Sequence, residues 1–108
     1  MDRQAELAAV DRTMRSYYAA VAHGDAVAAA RHFTAPSTFV TRQGAWSPAT
    51  AAEIETSFAA TLRDFKAQGY SHSTWSESHM KLLGETVALA SLVIVRHRTD
   101  GTEKKAAA

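Results

Sequence analysis

Near the start of the chain apolar residues recur at helical spacing. Leu7, Val10, Met14, Tyr17, Tyr18 and Val21 share an arc of roughly 100° at helical pitch, which predicts a helix from about Arg3 to Ala22. Asp11 and Arg15, one turn apart on the outer face, are placed to pair. Gly24 interrupts the pattern. Asp25 then offers its carboxylate as the N-cap of a second, alanine-rich helix ending near Phe33, and Pro36 marks the break. Thr38 to Arg42 reads as a short strand with Gln43-Gly44 as its turn. Thr50-Ala-Ala-Glu53 has the form of a capping box, in which hydroxyl and carboxylate satisfy each other's orphan amides. It opens a third helix with the stripe Ile54, Phe58, Leu62, Phe65, stopped at Gly69.

Beyond Gly69 the period changes. Tyr70 to Leu83 and Thr86 to Thr99 read as two long strands around a Gly84-Glu85 turn. Asp100-Gly101 has hairpin chemistry, although only seven residues follow it. The prediction is one α+β domain over residues 1–108: three helices from the N-terminal half packed on a curved antiparallel sheet, a cone-shaped roll whose closing strands are short or absent.

A two-residue turn at Gly84-Glu85 sets Leu82 opposite Val87, Met80 opposite Leu89, Ser78 opposite Ser91, Ser76 opposite Val93, Thr74 opposite Val95 and His72 opposite His97. All of these fall on one face, because side chains alternate along a strand. That face runs from bulky near the turn to small and polar at two histidines, and it is read as the inner wall of a cavity beneath the helices. The opposite face carries Trp75, Leu92 and Ile94, with Arg96 and Arg98. It is too apolar for open water, and a homodimer through it is expected. A register shifted by one residue exchanges the two faces.

Composition narrows the classes. A net charge of +1, with acidic and basic residues interleaved, offers no clustered basic face for nucleic acid. No apolar run reaches membrane-spanning length, and the charged N-terminus lacks the core of a secretion signal. Cysteine is absent, which excludes disulfides and thiolate metal sites and suits a reducing cytoplasm. No third ligand has a defined spacing to His72 and His97, so no metal is expected, nor any cofactor.

Tyr17-Tyr-Ala-Ala-Val-Ala-His-Gly24-Asp25, Phe33 at the end of the second helix, Thr50-Ala-Ala-Glu53, and Val87-Ala-Leu-Ala-Ser91 before Asp100-Gly101 together resemble the nuclear transport factor 2-like superfamily. Its members include ketosteroid isomerases and SnoaL-like polyketide cyclases. The resemblance covers nearly the whole chain and implies a cone-shaped pocket; it speaks to fold rather than activity. It implies for Tyr17, eight positions before Asp25, the role of the isomerases' oxyanion-stabilising tyrosine. The position of their general-base aspartate falls on Thr41, which cannot abstract a proton at neutral pH, and the family's further acids lie beyond this chain's end. A minimal or truncated member is thus implied.

The expected site joins Tyr17, Thr41, Trp46, Phe58, His72, Ser76 and His97 around a small hydrophobic ligand. Any catalysis is proton transfer on an apolar carbonyl compound, with Tyr17 stabilising oxyanion charge and His97 moving the proton. Trp46 is read as a lid over the pocket or a plug of the core, and His23 and His32 as surface residues at helix ends. Two readings stand beside this one. In the first the chain is a non-catalytic interaction module, its pocket filled by Met14, Phe58 and Met80. In the second it is an incomplete domain whose last long strand is an exposed edge.

Overall fold

A computed structural model describes residues 2–41 and 43–107, with the backbone alone for 104–107. The elements follow in the order α1 (Arg3–Ala22), α2 (Ala26–Ala30), β1 (Phe39–Thr41), β2 (Gly44–Trp46), α3 (Ala51–Ala67), β3 (Tyr70–Leu82), β4 (Ala88–Arg98) and β5 (Glu103–Ala107). The fold is α+β. β1 and β2 form a small antiparallel hairpin, and β3-β4-β5 a separate antiparallel sheet. Arg42, at the end of the expected first strand, lies outside the described residues.

Each helix starts where a short polar side chain takes an orphan amide. Asp2 accepts from Ala5 N at 3.2 Å, Asp25 from Ala28 N at 3.0 Å and Thr50 from Glu53 N at 3.2 Å. The reciprocal half of the expected capping box is displaced by one residue, since Glu53 Oε2 accepts from Ala49 N at 2.8 Å. α1 ends in a closed C-terminal motif. Gly24, at φ 71°, donates to Val21 O, and Asp25 N donates back to Ala20 O. Asp25 therefore closes one helix with its amide and opens the next with its carboxylate.

The helical stripes are as expected. Val21, Ile54 and Leu62 are buried, and Tyr17, Phe58 and Phe65 pack half-buried around them with Ala20 and Ala29. The faces of the long hairpin are not. Leu92 and Ile94 are buried, and the Trp75 ring lies 5.2 Å from that of Tyr18 on α1. The inner face carries Trp75, Leu92 and Ile94. His72, Ser76 and His97 share the other face. The expected cavity wall and the expected dimer surface have exchanged places.

The pairing explains how this arises. His72↔His97, Thr74↔Val95 and Ser76↔Val93 match the expected register, but nearer the turn the pairs are His79↔Ser91, Met80↔Ala90 and Leu82↔Ala88. The turn is one residue longer than expected, closed by Leu83 N donating to Val87 O at 2.7 Å. A β-bulge at Glu77-Ser78 compensates, with Glu77 at φ 51°. The bulge reverses the alternation, so Met80 and Leu82 join Trp75, five and seven positions earlier, on one face. Burying Trp75, Leu92 and Ile94, at about 1.5–3 kcal/mol for a large apolar side chain, outweighs burying the alternative face, where Val93 and Val95 stand opposite Ser76 and Thr74 and beside two histidines. The last hairpin is also one residue longer than its Asp-Gly signal suggests, with Arg98 N donating to Thr102 O at 2.9 Å.

Deleting Ser78 removes the bulge but sets Trp75, Met80 and Leu82 at even spacing on the same face, so the variant is expected to keep its fold, with a change of less than about 1 kcal/mol in denaturant unfolding. Glu77→Gly relieves the left-handed backbone and is expected to stabilise by ~0.5–1 kcal/mol.

Candidate functional site

Tyr17 and Tyr18 are neighbours on α1 and so point about 100° apart. Tyr18 turns to the sheet. Tyr17 turns to an aromatic cluster built from four other segments of chain. Its ring lies 5.5 Å from Phe33 and 6.0 Å from Phe58, both edge to face. Phe33 continues to Phe39 at 5.0 Å, and Phe39 to Trp46 at 5.4 Å. The short α2 returns Phe33 to α1, and the β1–β2 hairpin brings Phe39 and Trp46 side by side through the pair Phe39↔Trp46.

These rings border a cleft of about 520 Å³, large enough for a small organic molecule. Thr13, Met14 and Tyr18 from α1, Thr41 from β1, and Ser57 and Thr61 from α3 also line it, with Trp46 exposed at the rim. The cleft lies between α1, the β1–β2 hairpin and α3, and no residue of the long hairpin lines it. Of the seven expected site residues, Tyr17, Thr41, Trp46 and Phe58 meet here. His72, Ser76 and His97 do not, because the inverted face carries them away.

His97 therefore stands apart from Tyr17. Its ring stacks on that of His72 at 4.6 Å, its Nε2 lies 2.7 Å from Thr74 Oγ1, and its Nδ1 lies 3.6 Å from Glu103. The role expected of it in moving a proton beside Tyr17 is not supported by this placement. Among the described residues no three His, Asp or Glu side chains converge as metal ligands.

His32, expected at the surface, borders the cleft, edge-on to Tyr17 at 5.8 Å. Its Nδ1 lies 2.9 Å from Ala28 O, and its Nε2 lies 3.0 Å from Ser16 Oγ. A carbonyl only accepts, so Nδ1 carries the proton and Nε2 accepts from the Ser16 hydroxyl. The ring is thereby tied to both α1 and α2. Thr41 is similarly occupied: its hydroxyl donates to Gln43 Oε1 at 3.1 Å and accepts from Gln43 N at 3.2 Å, holding the β1–β2 turn.

Burial, reinforced by the charges that Tyr18 and Tyr70 would carry, pushes the Tyr17 phenol from its ordinary 10.0 up to about 12, against an opposing pull from Arg96. Tyr17 thus presents a neutral O–H at any physiological pH, a donor rather than a base. The folded state holds this proton more tightly than the unfolded chain does. Its contribution to stability is therefore complete below pH 10 and is lost as pH rises from 10 towards 12. Followed by tyrosinate absorbance and by denaturant melts, one tyrosine is expected to ionise last, together with this loss of stability. Tyr17→Phe is expected to flatten the alkaline limb.

Among the described residues no helix is long and apolar enough to cross a membrane. No curated protein and no solved structure is significantly similar to the chain. A family model described as "NTF2-like protein (DUF6841)" matches residues 5–108, nearly the whole length. With the helices laid on an antiparallel sheet, that match identifies the chain as a member of this NTF2-like family.

Proposed function

We propose that this protein binds an apolar small molecule bearing one hydrogen-bond acceptor in the aromatic cleft, with Tyr17 as the donor. An NTF2-like shell is compatible with ligand-binding and isomerase-like sites, and the reading must rest on the site itself. The observation that carries it is Tyr17, whose phenol burial keeps protonated, in the wall of a ligand-sized cleft lined by Phe33, Phe39, Trp46 and Phe58. Binding is favoured over proton transfer. Among the described residues no carboxylate lines the cleft, and both ring nitrogens of His32 are already engaged.

Trp46 at the rim reports occupancy by its fluorescence. An aryl methyl ketone such as 2-acetylnaphthalene is expected to bind about fivefold more tightly than 2-ethylnaphthalene, the worth of one neutral hydrogen bond near 1 kcal/mol. Tyr17→Phe removes that preference and leaves the hydrocarbon's affinity unchanged. Equal affinity of the Phe variant for the ketone sinks the proposal.

A second reading concerns self-association. Trp75, Leu92 and Ile94 are covered within the chain, so a homodimer draws instead on the opposite face and the hairpin tip. Leu83, Val87 and Leu89 are each more than half exposed there, and Val93 and Val95 lie on the same face as Leu89. By light scattering the protein is expected to be a dimer, and the Leu89→Lys, Val93→Lys variant a monomer. A wild-type monomer overturns this reading alone.

A further inference from the structure

Arg63 and Lys66 lie nearly one turn apart on α3, and neither is ion-paired among the described residues. Both border a second cleft of about 490 Å³, which shares no residue with the aromatic one. Its apolar side is formed by the buried Val21 and Leu62 with the half-buried Tyr70, whose hydroxyl is already engaged with Ser73 Oγ at 2.7 Å. His23 and Gly24 of the α1–α2 joint belong to the rim, and among the described residues no Asp or Glu lines it.

Cations beside the C-terminal end of a helix ordinarily serve its free carbonyls and its dipole. Here the carbonyls of Ala19, Ala20 and Val21 at the end of α1 already accept from the amides of His23, Asp25 and Gly24, and those of Asp64, Phe65 and Lys66 at the end of α3 from the amides of Gln68 and Gly69. The two side chains are thus not needed as caps. A cleft with an apolar floor and two uncompensated cations at its edge selects a ligand that is greasy at one end and anionic at the other. The planar fork of Arg63 matches a carboxylate in particular.

We propose that this cleft is a binding site for a small amphiphilic carboxylate, its head held by Arg63 and Lys66 and its short apolar body laid on Val21, Leu62 and Tyr70. The site is independent of the aromatic cleft and of Tyr17.

Sodium octanoate and octan-1-ol serve as probes, titrated against the whole chain by calorimetry and by amide chemical shifts. Octanoate is expected to bind saturably, to shift the His23 and Gly24 amides, and to weaken as salt is raised. In the Arg63→Gln, Lys66→Gln variant its affinity is expected to fall at least about tenfold, while octan-1-ol is unaffected. Both positions are exposed, so the variant is expected to keep the wild-type fold, with an unchanged circular dichroism spectrum as the check. Tyr17→Phe leaves octanoate binding unchanged, which separates this site from the one above. Three results each overturn the proposal: no saturable binding of octanoate, unchanged affinity in the double variant, or shifts confined to Trp46 and the aromatic cleft.

Discussion

The joint at His23-Gly24-Asp25 is the constraint on which the rest of the structure depends. Gly24 supplies a left-handed backbone, φ 71°, that a side chain would strain. Asp25 then returns its amide to α1 and gives its carboxylate to α2. With no loop residue between the two helices beyond these, α2 must fold straight back. That return places Phe33 on Tyr17 and His32 on Ser16. The same joint borders the basic cleft through His23 and Gly24, so one reversal of the chain shapes the surroundings of both clefts.

A second constraint is that α1 serves two fronts at once. Its adjacent tyrosines diverge, one into the aromatic cluster and one onto Trp75, and Arg15 lies over the Trp75 ring at 5.3 Å. A helix in this middle position needs a wide apolar arc, and the stripe from Leu7 to Val21 supplies it. The sheet can then bury only one face against it. The bulge at Glu77 lets Trp75, Met80 and Leu82 all belong to that face despite their mismatched spacing.

What was legible in the sequence follows the range of the interactions involved. Caps and helical stripes are local, and Asp25, Thr50, Ile54 and Leu62 sit as their neighbours dictate. Strand pairing far from the turn was also readable, because a longer turn and a bulge cancel in the count. The choice of buried face was not readable from alternation alone. The odd separation of Trp75 from Met80 was the available sign of a bulge, and the combined size of Trp75, Leu92 and Ile94 was the sign of the buried face. β2 had a signal too: Gly44-Ala45-Trp46 mirrors Phe39-Val40-Thr41 about a short turn. The engagement of His32 had none, since Ser16 is sixteen positions away and meets it only after the joint has folded. Tyr17 and Thr41 were indicated by the family resemblance, Phe58 by the stripe of α3 and Trp46 by its place in the segment before that helix. The three on the long hairpin were lost together, as a single inverted face requires.

That inversion also changes the electrostatics of the cleft. Arg96 belongs to the buried face, and its guanidinium lies over the Phe65 ring at 4.7 Å, between the sheet and α3. From there its charge lowers the pKa of both Tyr17 and Tyr18, while burial raises them. Burial dominates, so the Tyr17 hydroxyl stays neutral although a cation is near. An arginine on the expected outer face would have been solvated and screened, and would have had little hold on that hydroxyl. The face that the sheet turns inward therefore does more than complete a core. It places Arg96 against Phe65 of α3, where its charge acts on Tyr17 without lining the aromatic cleft.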